Sequence, residues 1–129
     1  MTGSERVRFW VIMSAEPSQI PAASEQIARQ LSQAFGGATV LGGSEVSALT
    51  GYWAEDGQAF KDAYDGVVHK ESVFAIMLMV VPEEEERAYS EIKTTVKKAV
   101  ADFGLNSRHI HVDVSSVRAR HFDVNDVGS

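Results

Sequence analysis

Cysteine is absent from the 129 residues. That excludes disulfide scaffolds, thiolate zinc sites, iron–sulfur clusters and cysteine nucleophiles. Long apolar runs are absent too: the longest, Val73 to Val81, is nine residues, and a membrane-spanning helix needs about twenty. No charged-then-apolar leader precedes a small-residue cleavage site, so the expectation is a cytoplasmic chain with no membrane partner. Positive charge is in deficit. Twelve Lys and Arg stand against eighteen Asp and Glu, a formal charge of -6, which argues against nucleic acid as a partner. The phosphate loop GxxxxGK(S/T), the GxGxxG turn, the HExxH helix and the GxSxG elbow are all missing. No RNA-binding signature of basic and aromatic residues marks the strands.

What remains is 44% hydrophobic and 23% charged, the composition of one globular domain spanning 1–129. Folding at this size buries roughly two-thirds of the unfolded surface. The expected core runs from about 6 to 115, with a polar tail over 122–129 that frays.

Val7 to Met13 predicts a strand apolar on both faces, with Phe9, Val11 and Met13 alternating against Arg8, Trp10 and Ile12. Ser18 is a candidate cap for a helix whose stripe is Ile27, Leu31, Ala34 and Phe35, stopped by Gly36-Gly37. Ala38 to Leu41 predicts a second strand, resumed at Leu49 to Trp53. Val67 to Val81 carries the strongest strand signal. Pro82 and the acids Glu83 to Glu86 then open a second helix at the positive end of its dipole. Its stripe is Ala88, Ile92, Val96, Ala99, Val100 and Phe103, and Gly104 ends it. His109 to Val114 predicts the last strand. The order β-α-β-β-α-β defines an α+β, ferredoxin-like sandwich with a long loop between its second and third strands. The first and third strands lie centrally there, and helices cover one face alone. Trp10, Ile12 and half of Val73 to Val81 then face outward, too apolar for water. A homodimer or homotrimer is expected to cover them.

Four groups of residues carry candidate chemistry. The segment 36–66 holds seven of the ten glycines together with Tyr52, Trp53, Phe60 and Tyr64. It reads either as a loop closing over a small ligand or as a β-ribbon whose aromatics pack on a neighbouring subunit. His109-Ile110-His111-Val112-Asp113 sets two imidazoles and a carboxylate on one face of a strand, with His121 nearby. It reads as metal ligands, or as a solvated edge. Arg118 and Arg120 share one face of an extended segment and form a candidate clamp for phosphate or carboxylate; solvated surface arginines are the plain alternative. Glu71, a charge entering an apolar strand, is a candidate general base or an acceptor for backbone donors. No nucleophile–base pair accompanies it.

Read in order, Phe35-Gly36-Gly37-Ala38-Thr39-Val40-Leu41, Gly51-Tyr52-Trp53-Ala54-Glu55-Asp56-Gly57 and Glu71-Ser72-Val73-Phe74 resemble a family of small bacterial proteins of unknown function. The shared pattern is a G-x-T-V strand, a G-x-W turn and an E-S opening to an apolar strand. The sequence departs from it by extra residues at 42–50 and 58–68. The resemblance implies a fold and a cluster of Thr39, Trp53 and Glu71, and it assigns no chemistry. A looser similarity of topology runs to PII-like nucleotide sensors.

Two functions follow as expectations. One is an oligomeric binding module that regulates with, or sequesters, a small anionic and nucleotide-like molecule, using Thr39, Tyr52, Trp53, Glu71, Arg118 and Arg120; an inhibitor docking on a protein partner belongs to the same class. The other is a metal-assisted enzyme of the dimeric α/β-barrel kind, with His109, His111 and Asp113 as ligands and Glu71 or His111 as catalytic candidates. The first needs no cofactor.

Overall fold

A computed structural model describes residues 4–107 and 110–125. Strand β1 (Glu5–Ser14) leads through a 3-10 turn over Pro17–Gln19 into helix α1 (Ile20–Phe35). The edge strands β2 (Thr39–Leu41) and β3 (Leu49–Ala54) follow, then the long β4 (Val68–Val80). A second 3-10 turn over Pro82–Glu84 opens α2 (Glu85–Phe103), and β5 (His111–Arg118) closes the sheet. The sheet order is β2-β4-β1-β5, with β3 also on β4, and every pairing is antiparallel. With β2 and β3 counted as one interrupted edge strand, this is the ferredoxin-like topology that the sequence pattern predicts.

Period-two alternation sorts each central strand between two faces. Val7, Phe9, Val11 and Met13 of β1 join Phe74, Ile76, Leu78 and Val80 of β4 in the core. Against them the helices lay Ile20, Ala23, Ile27, Leu31, Ala88, Ile92, Val96 and Ala99. The helix ends are tied together. Gln19 Nε2 donates to the Phe103 carbonyl at 2.8 Å, and Gln26 Nε2 to Asp102 Oδ2 at 3.0 Å. The Arg87 guanidinium lies 4.3 Å over the Phe35 ring. Gly104 takes the left-handed conformation at φ 59° and ends α2, with Leu105 buried behind it.

Three expectations change in detail. Helix α1 starts from the 3-10 turn, where Gln19 Oε1 accepts from the Glu16 N–H at 3.4 Å, so Ser18 is not its cap. Of the two readings of 36–66, the single closing loop gives way to the ribbon: the expected strands are present as β2 and β3, and β3 with the outer end of β4 projects as a two-stranded ribbon beyond the end of β1. Strand β5 begins at His111 and continues to Arg118, so that arginine stands within the sheet instead of after it. His109, Arg108 and the tail beyond 125 lie outside the described residues.

Candidate functional site

The face of the sheet away from the helices has no covering layer. By register it carries Arg6, Arg8, Trp10 and Ile12 from β1 and Met79, Met77, Ala75, Val73, Glu71 and His69 from β4. Leu41, Leu49, Gly51 and Trp53 join from the edge strands, and His111, Asp113 and Ser115 from β5. Along β1 and β4 the middle of this face is apolar, with Arg6 and Arg8 at one end and Glu71 at the other; on the edge strand β5, Asp113 and His111 stand beside Trp10 and Ile12. Arg8 stands at one end, between Met79 and Ser115. Its Nε is buried with no hydrogen-bond partner, a condition that costs about 1–3 kcal/mol.

At the opposite end, β1 turns away after Ser14 and leaves the ribbon unsupported on that side. A cleft of about 480 Å³ opens there, lined by Ser14, Ala15, Glu16, Pro17, Thr50, Trp53, His69, Lys70, Glu71, Ser72 and Asn106. One wall is an aromatic stack, with the Trp53 and His69 rings 4.4 Å apart and 25° from parallel. Glu55 Oε1 holds His69 Nε2 at 2.7 Å and fixes that ring. Gly51, between Leu49 and Trp53, lets Val73 and Glu71 pack close to β3: a Cβ there would stand 3.1 Å from Val73 Cγ1 and 3.8 Å from Glu71 Cγ. Two carboxylates, Glu16 and Glu71, meet the cleft alongside Lys70. No ion pair engages Glu71 among the described residues.

The ribbon's far turn is organised around Asp56. Its carboxylate accepts from Lys61 Nζ at 3.0 Å and from the Asp65 and Gly66 N–H groups at 3.2 and 3.1 Å. The ammonium of Lys61, foremost, and these backbone donors hold Asp56 below the usual carboxylate range. Phe60 sits at this tip with φ 52° and 92% exposure.

Trp53 and Glu71 therefore line one cleft, as diagonal neighbours on one face. Thr39 shares that face but lies opposite Met77, about 20 Å along β4 from Glu71 and about 26 Å from the level of Trp53. Tyr52 pairs with Lys70 on the other face and is 66% exposed. Arg118 pairs with Glu5, about 30 Å from the cleft at the other end of the sheet, and Arg120 follows it. A clamp of Arg118 and Arg120 and the Trp53 cleft are thus separate within one copy. His111 Nε2 and Asp113 Oδ1 are 2.7 Å apart on the exposed edge strand. Among the described residues no three His, Asp or Glu side chains are grouped to hold a metal ion. His121 is exposed and beyond β5. The sequence reading missed Glu16, His69 and Arg8.

No protein-family model matches the chain, and no curated protein matches it. Solved structures do. CutA from Synechococcus elongatus PCC7942 superposes with a TM-score of 0.51 at 8% identity, over 92% of this chain and 80% of that one. A phage SAM lyase in complex with S-methyl-5'-thioadenosine gives 0.49 at 14%, over 92% and 93%. GlnK of B. subtilis gives 0.42 at 15%, over 87% and 86%. The CutA match supports the ferredoxin-like fold; at such identities the likeness is one of fold alone. Among the described residues no helix is long and apolar enough to cross a membrane.

Proposed function

We propose that the chain is a homo-oligomeric binding module for a small anionic, nucleotide-like molecule. Further copies cover the open sheet face, and the ligand occupies the cleft where the ribbon leaves the sheet. The observation that carries this reading is the continuity of the two. The outward set of Trp10, Ile12, Met77, Leu41 and Leu49 runs directly into the cleft beside Glu71, Trp53 and His69. An apolar face of that extent is characteristic of an interface. A stacked aromatic wall among a few converging polar groups suits a flat ligand. The fold shared with CutA and GlnK supports the class as an analogy.

Within one copy the cleft holds Glu16 and Glu71 against Lys70 and His69. An anion there needs positive charge from a second copy, because Arg118 and Arg120 lie at the far end of their own sheet. Regulation or sequestration by such a module takes place in the cytoplasm in this reading. The exposed ribbon tip around Phe60 is the part suited to a protein partner. Of the enzyme alternative, the one pair brought together is His111 and Asp113, 2.7 Å apart on the exposed edge strand. Native mass spectrometry of the protein as isolated tests the proposal, with an oligomer and a retained small anion as the expected result. A metal-free monomer carrying nothing overturns it, and stoichiometric metal turns the reading to the enzyme.

A further inference from the structure

We infer that Arg8 of one copy enters the cleft of another and pairs there with Glu71, so that each site is built from two copies. The inference rests on the self-association proposed above and gives it a register. Along the open face the residue types run in a fixed order. Arg6 and Arg8 come first, then Trp10 with Met77, then Ile12 with Ala75, then Val73, then Glu71. Two such faces stacked with their strands running oppositely place Arg8 of each over Glu71 of the other. Trp10 then lies over Val73, and Ile12 over the partner's Ile12 region. Stacking with the strands aligned puts Arg8 on Arg8 and Glu71 on Glu71, and both contacts repel.

The spacing suits the pairing, since packed sheets stand about 10 Å apart and an extended arginine covers most of that gap. The unsatisfied Nε of Arg8 supplies the local reason. Extended toward a carboxylate, the guanidinium presents Nε and a terminal nitrogen together and gains a bidentate partner. The consequence for the site is a change of charge. Arg8 offsets Glu71, so a ligand against the Trp53–His69 wall no longer faces an uncompensated carboxylate on that face.

The experiment is a charge swap read by sedimentation over a range of protein concentrations. Arg8→Glu or Glu71→Arg alone should weaken assembly by at least about tenfold, in keeping with measured couplings of close interfacial charges. Mixing the two variants should restore it, because both crossed contacts then join opposite charges. Single variants that assemble within about threefold of the parent, or a mixture of folded variants that stays apart, overturn the inference. Should either variant fail to fold, the cysteine-free background offers a second route. Arg8→Cys and Glu71→Cys chains are mixed and treated with a bis-maleimide of about 10 Å span, the sheet spacing expected. Positions 8 and 71 of one chain are about 26 Å apart along the sheet, so a bridge joining them connects two copies. Bridges confined to 8–8 or 71–71, or none, overturn the register. An unaltered protein that is monomeric overturns the self-association as well, whereas an oligomer indifferent to the swap removes this inference alone.

Discussion

Replacing Trp10 by glutamate separates the fold from the assembly. The indole stands on the open face between Met77 and Asp113, half-buried with no second layer above it. A tryptophan covers up to about 250 Å². If roughly 100 Å² of that is still open in a single copy, burial at about 25 cal/mol per Å² is worth ~2.5 kcal/mol. Both copies lose it, which gives ~5 kcal/mol, between about three and four orders of magnitude in Kd. Area converts imperfectly to affinity, so a tenfold loss is the floor of the expectation. The fold should survive, because Trp10 contributes nothing to the helix-facing core of Val7, Phe9, Val11 and Met13. Sedimentation equilibrium at tens of micromolar, with thermal unfolding alongside, reads the two effects separately. A parent protein that sediments as a monomer refutes the reasoning, and so does a folded variant whose Kd is unchanged.

Three further perturbations test other parts of the account. Gly42 turns β2 toward β3 at φ 70°, and a Cβ there would stand 2.7 Å from Leu49 Cγ and 3.1 Å from Leu49 N. Gly42→Ala should therefore cost about 2–4 kcal/mol in urea unfolding, from left-handed strain plus crowding; a neutral substitution would show that the edge strand is loosely held. Asp56 has a lowered pKa in the folded protein, so its contribution is complete above the ordinary aspartate value of about 3.9 and disappears as pH falls through the lower folded value. The Gly66 amide should report that loss at acid pH by NMR, and Asp56→Asn should abolish the titration; an identical profile in the variant would rule Asp56 out as its source. The double change Arg118→Ala and Arg120→Ala should abolish binding of the retained anion with the fold intact, as measured by calorimetry. Unchanged affinity would remove the clamp and leave the cleft to bind alone.

The fold was legible because its strongest signals are periodic. The stripes Ile27–Leu31 and Ala88–Ile92–Val96–Ala99 stand on the buried faces of α1 and α2, where a 3.6-residue repeat puts them. The β4 run is buried on the helix face, and on the other face Val73 and Ala75 are buried while Met77 and Met79 are half-covered. Boundaries were less legible. The last strand was expected to end at Val114, yet β5 continues to Arg118 because Ser115, Ser116 and Val117 find partners on β1. Strand length there is set by the neighbour's backbone, which local composition does not encode. The glycine-rich segment was legible in part: the strand expected at Leu49 to Trp53 is β3, one residue longer, and pairing to β4 decides for the ribbon over the loop.

The site was readable in parity and unreadable in distance. Trp53 and Glu71 stand near one another on one face, whereas Thr39, grouped with them from sequence, stands on β2 far along β4 from both. Residue order gives the side of a sheet and leaves the position along it to the register. The same limit separates Arg118 and Arg120 from the cleft. Arg8, however, had a signal that went unused. It shares its parity with Trp10 and Ile12, so it is a charge placed among residues that the alternation assigns to a covered face. Glu71 stands in the same relation to Val73, Ala75 and Met77. Along β1 and β4, Arg6 and Arg8 stand at one end of the apolar stripe and Glu71 at the other, an arrangement that is costly if the stripe is covered by anything neutral. It is favourable if the stripe meets its own reverse. Parity alone thus marks both residues, and physical chemistry then pairs them across two copies.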